Sequence, residues 1–335
     1  MCRCDNVLMK KIRMLKTKNI FIALGIISIS ICTIHISLGW GFWAHERINR
    51  MAIFCLPEDM QCLFKQNIEY LTHHATDPDK RRNVVKDEAP RHYIDIDHYG
   101  KYPFDSVPRK WKDAVAKLSE DTLKAYGIVP WYVEKMTYRL TEAFKQKDKN
   151  EIFKLAADLG HYVADAHVPL HTTENYNGQL TNQVGIHNFW ESRVPELLGE
   201  HYDYLVGKAE YIDKPLKKIW QIVLESNAEV DSVLKYEKQL NENFSEERKY
   251  TIETKGHQTV KIYSDEFTIA YNKLLNNMAE RRLRSSIQDV ASFWYTAWIN
   301  AGQPDLHDLL EKETVIENKD SIGLIQQKLK GHTDN

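Results

Sequence analysis

Two histidine–carboxylate pairs with helical spacing lie close together in the middle of this chain. His161 precedes Asp165 by four positions, and His187 precedes Glu191 by the same interval. Residues four apart share one face of a helix, so each pair can aim a ring nitrogen and a carboxylate at the same point. Imidazole and carboxylate together are typical zinc ligands, with bonds of roughly 2.0–2.2 Å. The spacing therefore favours a metal site that is built on helices.

A simpler interpretation is that these pairs are ordinary ion pairs on solvent-exposed helix surfaces. Their neighbours argue against it, because apolar side chains surround them in the sequence, namely Leu159, Val163, Phe189 and Trp190. A carboxylate buried in such surroundings needs a partner, and a cation supplies one. We therefore expect both pairs to be at least partly buried and to bind metal.

The rest of the sequence predicts the helices that would hold such a site. Of the 335 residues, 43% are hydrophobic and 27% are charged, as is usual for a globular protein with a packed core. Apolar residues recur with a helical period over most of the chain. The predicted helices are 46–56, 59–74, 109–125, 131–147, 151–167, 188–199, 211–239 and 264–299. We expect an all-α, single-domain, multi-helix bundle, with a catalytic domain at 40–304 and a polar tail at 305–335.

Two segments lack helical periodicity. Residues 251–262 alternate in the manner of a strand and are predicted to form a hairpin or a loop. Residues 75–107 are irregular, and structureless loops of this length in compact domains are usually functional. This loop contains two further candidate ligands, Asp77 and His92. It also contains three consecutive basic residues at 80–82, which are either solvated charges or contacts for a substrate phosphate.

The first 39 residues have the pattern of a secretory signal. Basic side chains within residues 10–18 precede an apolar stretch at 20–38. This stretch is almost long enough to span a membrane, so a retained anchor is the alternative. We favour cleavage after Gly39, because Ser37 and Gly39 supply the small residues that a signal peptidase requires. The mature chain would then begin at Trp40, be secreted or periplasmic, and not be an integral membrane protein.

The charge composition argues against one class of partner. Residues 1–39 hold six of the 45 basic and one of the 47 acidic side chains, so the remainder has a formal net charge of −7. Proteins that bind duplex nucleic acid or an anionic membrane face usually carry a basic excess. The sequence predicts neither of these partners.

Only two of the five cysteines, Cys55 and Cys62, lie beyond residue 39. A disulfide between them is possible in an exported protein. However, two cysteines seven positions apart on one helix are usually too distant to bridge. We favour two buried free thiols, and the lack of closely spaced cysteine pairs makes a cysteine metal site improbable.

The start of the predicted mature chain adds another ligand group. Trp40 would carry a free α-amino group, which can ligate zinc when deprotonated, and His45 follows five positions later. With this element, the order, types and spacing of the candidate residues resemble the superfamily that joins bacterial zinc-dependent phospholipase C to the single-strand-specific zinc nucleases. The resemblance runs by motif from Trp40 to Glu191. It implies an α-helical, secreted enzyme that holds three zinc ions.

Carried over residue by residue, the resemblance implies three ligand sets. The sets are Asp77, His92, His161 and Asp165 for one zinc; His171, His187 and Glu191 for a second; and the amino and carbonyl groups of Trp40 with His45 and a bridging Asp165 for the third. The catalytic carboxylates would be Asp165 and Asp77, with Asp77 as a possible general base.

The resemblance also sets the expected reaction. The spacing from Trp40 to His45 is that of the nucleases, whereas Glu191 and the short loop from His171 to His187 match the phospholipases. We expect hydrolysis of phosphate diesters of the phospholipase C type, with zinc activating a hydroxide. A single-strand-specific nuclease is the first alternative, and a non-enzymatic secreted zinc-binding protein is the second. No protein partner is implied.

Overall fold

The computed structural model of the protein describes residues 40–255 and 258–310, which fall within one compact unit. The predicted signal segment and the tail from residue 311 onward lie outside the described residues, so secretion stays a prediction. The domain boundaries predicted at residues 39 and 304 likewise stay predictions. In the described part of the chain, no helix is both long enough and apolar enough to cross a membrane.

The described chain is built almost entirely from helices. In chain order, the α-helices are α1 (Phe42–Ala52), α2 (Glu58–Gln66), α3 (Ile68–His73), α4 (Asp77–Arg81), α5 (Trp111–Leu118), α6 (Glu120–Ala125), α7 (Val129–Gln146), α8 (Lys149–Ala166), α9 (Ile186–Asn188), α10 (Val194–Leu198), α11 (Pro215–Ala228), α12 (Val230–Asn241), α13 (Glu246–Lys249), α14 (Asp265–Leu274) and α15 (Met278–Asn300). A π-helix at Phe189–Arg193 joins α9 to α10, and short 3-10 turns include Ala89–His92, Ile96–Tyr99 and Pro169–Thr172. The predicted all-α class is confirmed.

One antiparallel hairpin accompanies the helices, at the position where the sequence alternates. Its strands are β1 (Tyr250–Lys255) and β2 (Gln258–Tyr263), and Tyr250 lies opposite Tyr263 in the register. The sequence left a hairpin and a loop open as alternatives for this segment, and the structure has the hairpin.

The core is organised around α8. Every residue from 155 to 166 is buried, and α1, α7 and α15 all pack against this helix. Small residues such as Ala156 and Gly160 permit the close approach, and the indole of Trp294 on α15 donates a 2.9 Å hydrogen bond to the Ala156 carbonyl. A helix covered by its neighbours can direct polar side chains only into enclosed space. Asp165 therefore lies inside the protein rather than on its surface.

Four of the predicted helices are each divided in two. The 109–125 segment breaks at Ser119, which has a φ of 69° and whose hydroxyl accepts a 3.3 Å bond from the Thr122 amide at the start of α6. The 264–299 segment breaks at Asn276 and Asn277, which both adopt positive φ. Serine and asparagine cap helices and tolerate such conformations through local hydrogen bonds. Apolar periodicity indicates the buried face of a helix, but it does not indicate where these breaks occur.

Both cysteines in the described residues are free. Cys55 is buried as expected, but Cys62 is exposed, so the expectation of two buried thiols is wrong for Cys62. The reason is helix geometry, because Met60 and Phe64 occupy the buried face of α2 and Cys62 lies midway between them on the opposite side.

The first testable prediction concerns Gly160. A Cβ atom at this position would lie 2.1 Å from Oδ1 of Asn49, whose amide donates to the carbonyls of Ala157 and Leu71 at 3.2 and 3.3 Å. Glycine-to-alanine changes inside helices usually stabilise by up to about 1 kcal/mol. We expect Gly160→Ala to do the reverse and to lower the free energy of unfolding by about 1–3 kcal/mol, because overpacking dominates.

A double-mutant cycle checks this cause. In an Asn49→Ala background the obstructing side chain is gone, so the same Gly160→Ala change should cost little. Denaturant unfolding of the four proteins measures the coupling. An equal cost in both backgrounds would contradict the steric explanation.

Candidate metal centre

The first histidine–carboxylate pair lies on the buried face of α8. His161 Nε2 is 3.2 Å from Asp165 Oδ2, and neither side chain is exposed to solvent. The four-residue spacing thus acts as the sequence predicted, with the nitrogen and the oxygen one helical turn apart on the same face.

Two other elements bring histidines to the same carboxylate. From α1, His45 Nε2 approaches Asp165 Oδ1 at 3.3 Å. From the irregular loop, His92 Nδ1 lies 2.9 Å from Asp165 Oδ2 and 3.0 Å from His161 Nε2. The two oxygens of Asp165 therefore face different histidines, which is the geometry that a bridging carboxylate needs.

The aspartate that completes this cluster is Asp79 and not Asp77. Asp79 is buried, and its Oδ1 lies 3.7 Å from both His92 Nδ1 and His161 Nε2. Asp77 is partly exposed and is paired with His74 at 2.5 Å and with Lys80 at 3.0 Å. The expectation that Asp77 joins the ligand cluster is not met by the structure. The physical reason is that the two aspartates, two apart on α4, point roughly 200° apart around the helix.

A buried ion-pair network fixes the orientation of α4. The guanidinium of Arg81 donates two bonds to the Asp158 carboxylate on α8, at 3.1 and 2.8 Å, and a third to the hydroxyl of Tyr162 at 2.9 Å. Arg81 Nε also lies 3.2 Å from Glu88. Bidentate pairing of this kind is directional as well as strong. It sets the rotation of α4 against α8 and so selects Asp79 as the inward-facing aspartate.

The three consecutive basic residues therefore have different surroundings. Lys80 is paired with Asp77, and Arg81 belongs to the buried network. Arg82 lies close enough to His187 for its positive charge to help lower the pKa of that imidazole, after the larger effect of burial. Among these three residues, Arg82 is the one whose charge acts on a member of the second histidine–carboxylate pair.

The second pair forms a further cluster with His171. His187 Nε2 lies 2.7 Å from Glu191 Oε2, and His171 Nε2 lies 3.5 Å from the same oxygen. Glu191 sits in the π-helical turn, a rare element that is frequently found at functional sites. His171 Nδ1 is also 3.8 Å from Asp165 Oδ1, so this cluster adjoins the first one.

The eight side chains form three groups, of which two share His161. Within each group, one ligand atom from every residue lies within 4.8 Å of the others; the groups are His45, Asp79 and His161; His92, His161 and Asp165; and His171, His187 and Glu191. All eight residues are buried. These groups could each hold a metal ion.

Trp40 lies beside these groups. It is fully buried, its indole donates a 2.8 Å hydrogen bond to the Ala164 carbonyl, and its ring packs against Trp190 at 5.0 Å. The next residue, Gly41, donates its amide to the Glu191 carbonyl at 3.2 Å. The backbone at Trp40 is thus attached to the segments that carry the ligands, whereas ligation by its amino group stays a prediction.

Backbone carbonyls orient two of the histidines. His161 Nδ1 donates to the Ala75 carbonyl at 2.8 Å, and His171 Nδ1 donates to the His92 carbonyl at 2.6 Å. A carbonyl can only accept, so Nδ1 of each ring carries a proton and Nε2 is the atom that faces the carboxylates. Metal-binding histidines are commonly held in this way.

Burial and neighbouring charges shift the pKa values in this centre. Burial lowers the pKa of His45 to about 4 and that of His187 to about 3, which keeps both rings in the neutral form that binds metal. Burial would also lower the pKa of His161, but Asp165 and Asp79 outweigh it and raise the value to about 9. Burial raises the pKa of Glu191 to about 8. A nearby cation would favour the ionised form of such a carboxylate.

Many polar atoms in the centre have no partner in hydrogen-bonding geometry among the described residues. They are both ring nitrogens of His45, both oxygens of Asp79, His92 Nε2, Asp165 Oδ1, His171 Nε2, His187 Nε2 and both oxygens of Glu191. Buried polar groups are nearly always hydrogen-bonded, so this concentration needs an explanation. Imidazole nitrogens and carboxylate oxygens that face one another without hydrogen-bonding can serve together as ligands of one cation. The donor atoms of this centre are of the types that bind zinc.

Asp79 is a candidate ligand that the sequence motifs did not single out. The signal for it is the Asp-Pro-Asp turn, in which Asp79 follows Asp77 by two residues. The turn offers two carboxylates, and the resemblance implies the first of them. The remaining predicted side chains, His45, His92 and those from His161 to Glu191, are brought together by the fold.

Comparisons with known proteins give only distant structural neighbours. No family model matches the chain, and no curated protein matches its sequence. Among solved structures, the chain is similar to the alpha toxin from Clostridium absonum, with 15% identity, a TM-score of 0.41 and coverage of 84% of this chain and 66% of the toxin. It is also similar to the alpha-toxin from an avian strain of Clostridium perfringens, with 14% identity, a TM-score of 0.43 and coverage of 80% and 65%.

The chain thus spans just under two thirds of the length of the two toxins.

The second prediction separates the two aspartates by metal content. Asp79→Asn keeps the shape of the side chain but removes its charge from the cluster, so the protein should bind about one zinc fewer than the unchanged chain. Asp77→Asn, two residues away, should retain full zinc content because Asp77 pairs with His74 and Lys80. Elemental analysis after dialysis against trace zinc measures both. Loss of zinc from Asp77→Asn alone would restore the original assignment.

Proposed function

We propose that this protein is a zinc-dependent hydrolase of phosphate diesters. The observation that supports the proposal most is that the Asp165 carboxylate faces histidines of all three groups. Its two oxygens face His45 on one side and His92 and His161 on the other, with His171 also within 3.8 Å. In two-metal hydrolases, a pair of closely spaced ions stabilises the attacking and the leaving oxygens of an in-line displacement.

The proposed ligand sets are those that the resemblance implies, with Asp79 in place of Asp77. They are Asp79, His92, His161 and Asp165; His171, His187 and Glu191; and His45, Asp165 and the amino and carbonyl groups of Trp40. When bound, zinc supplies Lewis-acid chemistry and lowers the pKa of a coordinated water to near neutrality. Asp79 takes the ligand position that the resemblance implies for Asp77.

The protein's own residues would orient the reactants and exclude bulk water. Ala75 and His92 carbonyls hold the His161 and His171 rings in one tautomer and one orientation. We propose that Asp79 rather than Asp77 accepts a proton from the attacking water, because its Oδ2 is buried and has no hydrogen-bond partner in the described residues. Asp77 is occupied by His74 and Lys80.

The preferred substrate class is a phospholipid, as the spacing of His171, His187 and Glu191 suggested. Arg82 is the proposed contact for the substrate phosphate, since guanidinium groups bind phosphate in a bidentate manner. Its positive charge acts on the imidazole of His187, which places it beside the second histidine–carboxylate pair.

A single-strand nuclease is the second candidate, and one observation favours it. The ring of Tyr176 lies 6.1 Å from that of His187 and is 46% exposed, so it is able to stack on a nucleobase beside the centre. Trp43, another aromatic candidate from the sequence, instead lies beneath the guanidinium of Arg47 at 5.0 Å.

The third prediction tests the proposed activity and its substrate. Purified protein should hydrolyse a short-chain phosphatidylcholine faster than single-stranded DNA or RNA, and a chelator should abolish the hydrolysis until zinc is restored. Asp165→Ala removes the shared carboxylate and should lower the rate by roughly a hundredfold or more.

Asp203→Ala is the matched control. Asp203 is an exposed carboxylate paired with Arg284 at 2.7 Å, and its loss should change the rate by no more than about twofold. Similar activity of the two variants would refute the role of Asp165. Faster cleavage of nucleic acid would select the second candidate. Tightly bound zinc without any hydrolysis would favour the non-enzymatic alternative.

The fourth prediction concerns the amino terminus. A protein that begins at Trp40 should bind about three zinc ions, whereas one with a single extra alanine before Trp40 should bind about two and lose most of its activity. An amide nitrogen within the chain cannot replace the amine as a ligand. Both proteins should stay folded, because the remaining ions still stabilise the native state by mass action.

Intact mass, zinc content and hydrolysis rate measured together check this prediction. Full activity with the extra residue in place would exclude the third ligand set and leave a two-zinc hydrolase.

A further inference from the structure

A cavity with a volume of about 1040 Å³ shares no lining residue with the metal centre. It lies along α11 and is also bordered by Arg109, Lys110 and Glu134, and none of its lining residues is a candidate ligand. Ligand pockets in proteins span roughly 300–1,000 Å³, so this space is sufficient for a small molecule.

One wall of the cavity is apolar. Leu216, Trp220 and Leu224 lie one helical turn apart along α11, with Pro215 at the start of the helix. Leu216 and Leu224 are only partly buried, whereas the Trp220 ring is held by packing against Trp131 at 5.1 Å. This row of side chains provides a continuous surface for a hydrocarbon chain.

Three of the four basic residues at the cavity form no ion pair with a described carboxylate, and the fourth, Lys214, is paired with Asp213. Within the described residues, no carboxylate forms an ion pair with Arg109, Lys110 or Lys217. The Arg109 guanidinium lies 4.3 Å above the Trp220 ring and donates one bond, of 3.0 Å, to the Pro103 carbonyl. Its other terminal nitrogen, Nη1, is buried without a hydrogen-bond partner. A buried guanidinium nitrogen without an acceptor is costly, so an additional acceptor at Nη1 would stabilise Arg109.

Two of the three acidic residues at the cavity are already paired with other groups. Asp213 lies 3.8 Å from Lys214, and Glu225 lies 3.7 Å from Arg282. Glu134 remains, and burial raises the pKa of its carboxyl group. The charge of Asp105 also acts on Arg109. Arg109, Lys110 and Lys217 against Glu134 and Asp105 leave the cavity with an excess of one positive charge.

We propose that this cavity binds a single-chain amphiphile with one anionic head group. The hydrocarbon chain would lie on Leu216, Trp220 and Leu224, and the head group would accept hydrogen bonds from Arg109, Lys110 and Lys217. An extended polyanion is a poorer match, because acidic side chains interrupt the basic residues along the cavity. The proposal is independent of the reaction catalysed at the metal centre.

Calorimetric titration of the full-length protein with decyl compounds below their micellar concentrations tests the proposal. Decanoate and decyl phosphate carry the two kinds of anionic head group, and decyltrimethylammonium has the same chain with a cationic head. We expect saturable one-to-one binding of at least one anion, roughly tenfold or more tighter than the cation. The tighter of the two anions identifies the head group as carboxylate or phosphate.

Two variants locate the binding. Ala228 is an exposed residue of the cavity wall, so Ala228→Trp should fill the space without disturbing the core and should abolish binding. The double change Lys110→Gln and Lys217→Gln should weaken binding of the anion by roughly threefold to tenfold. The control is Lys208→Gln with Lys238→Gln, because both lysines are exposed and neither borders the cavity.

Circular dichroism and melting temperature confirm that each variant is folded. The proposal is overturned by absence of saturable anion binding, by equal binding of the cationic compound, or by unchanged binding in Ala228→Trp. The last result would place the amphiphile elsewhere, including at the metal centre.

Discussion

Three carboxylates buried in one centre impose the main constraint on this structure. Asp79, Asp165 and Glu191 are shielded from water and lie among five histidines instead of among arginines or lysines. Removing an ionised carboxylate from water costs several kcal/mol unless opposite charge is nearby. The depressed pKa values of His45 and His187 keep those rings neutral, so they supply no positive charge, and His161, with its pKa raised to about 9, is the exception. The groups that these residues form could hold metal ions, which would supply the remaining charge.

The segments that carry the ligands are attached to one another by backbone contacts. The carbonyl of His92 fixes the His171 ring, and the carbonyl of Ala75 fixes that of His161. The amide of Gly41 binds the carbonyl of Glu191, which joins the start of α1 to the π-helical turn. A ligand displaced in one segment would therefore shift its neighbours, and such coupling preorganises the site for catalysis.

Helix α11 connects the metal centre with the cavity. On its inner side, Asn227 donates a 2.9 Å bond to the Thr172 carbonyl, next to His171, and Ser226 donates a 2.6 Å bond to the Ala166 carbonyl, next to Asp165. Other side chains of the same helix line the cavity. Any movement of α11 on filling the cavity would be transmitted to two ligand-bearing segments through these hydrogen bonds. The cavity and the candidate metal centre thus share one structural element.

The helical class and the two histidine–carboxylate pairs can be predicted from the sequence alone. Both follow from local geometry, since a period of 3.6 residues and a spacing of four are independent of the rest of the chain. Packing in the folded chain sets which aspartate of α4 faces inward, because rotation of a five-residue helix depends on the bond from Arg81 to Asp158, far away in sequence. It likewise decided that Arg82 lies near His187 and that basic residues gather beside an apolar row on α11. These relations join residues whose sequence separation carries no periodic signal, so only the folded chain brings them together.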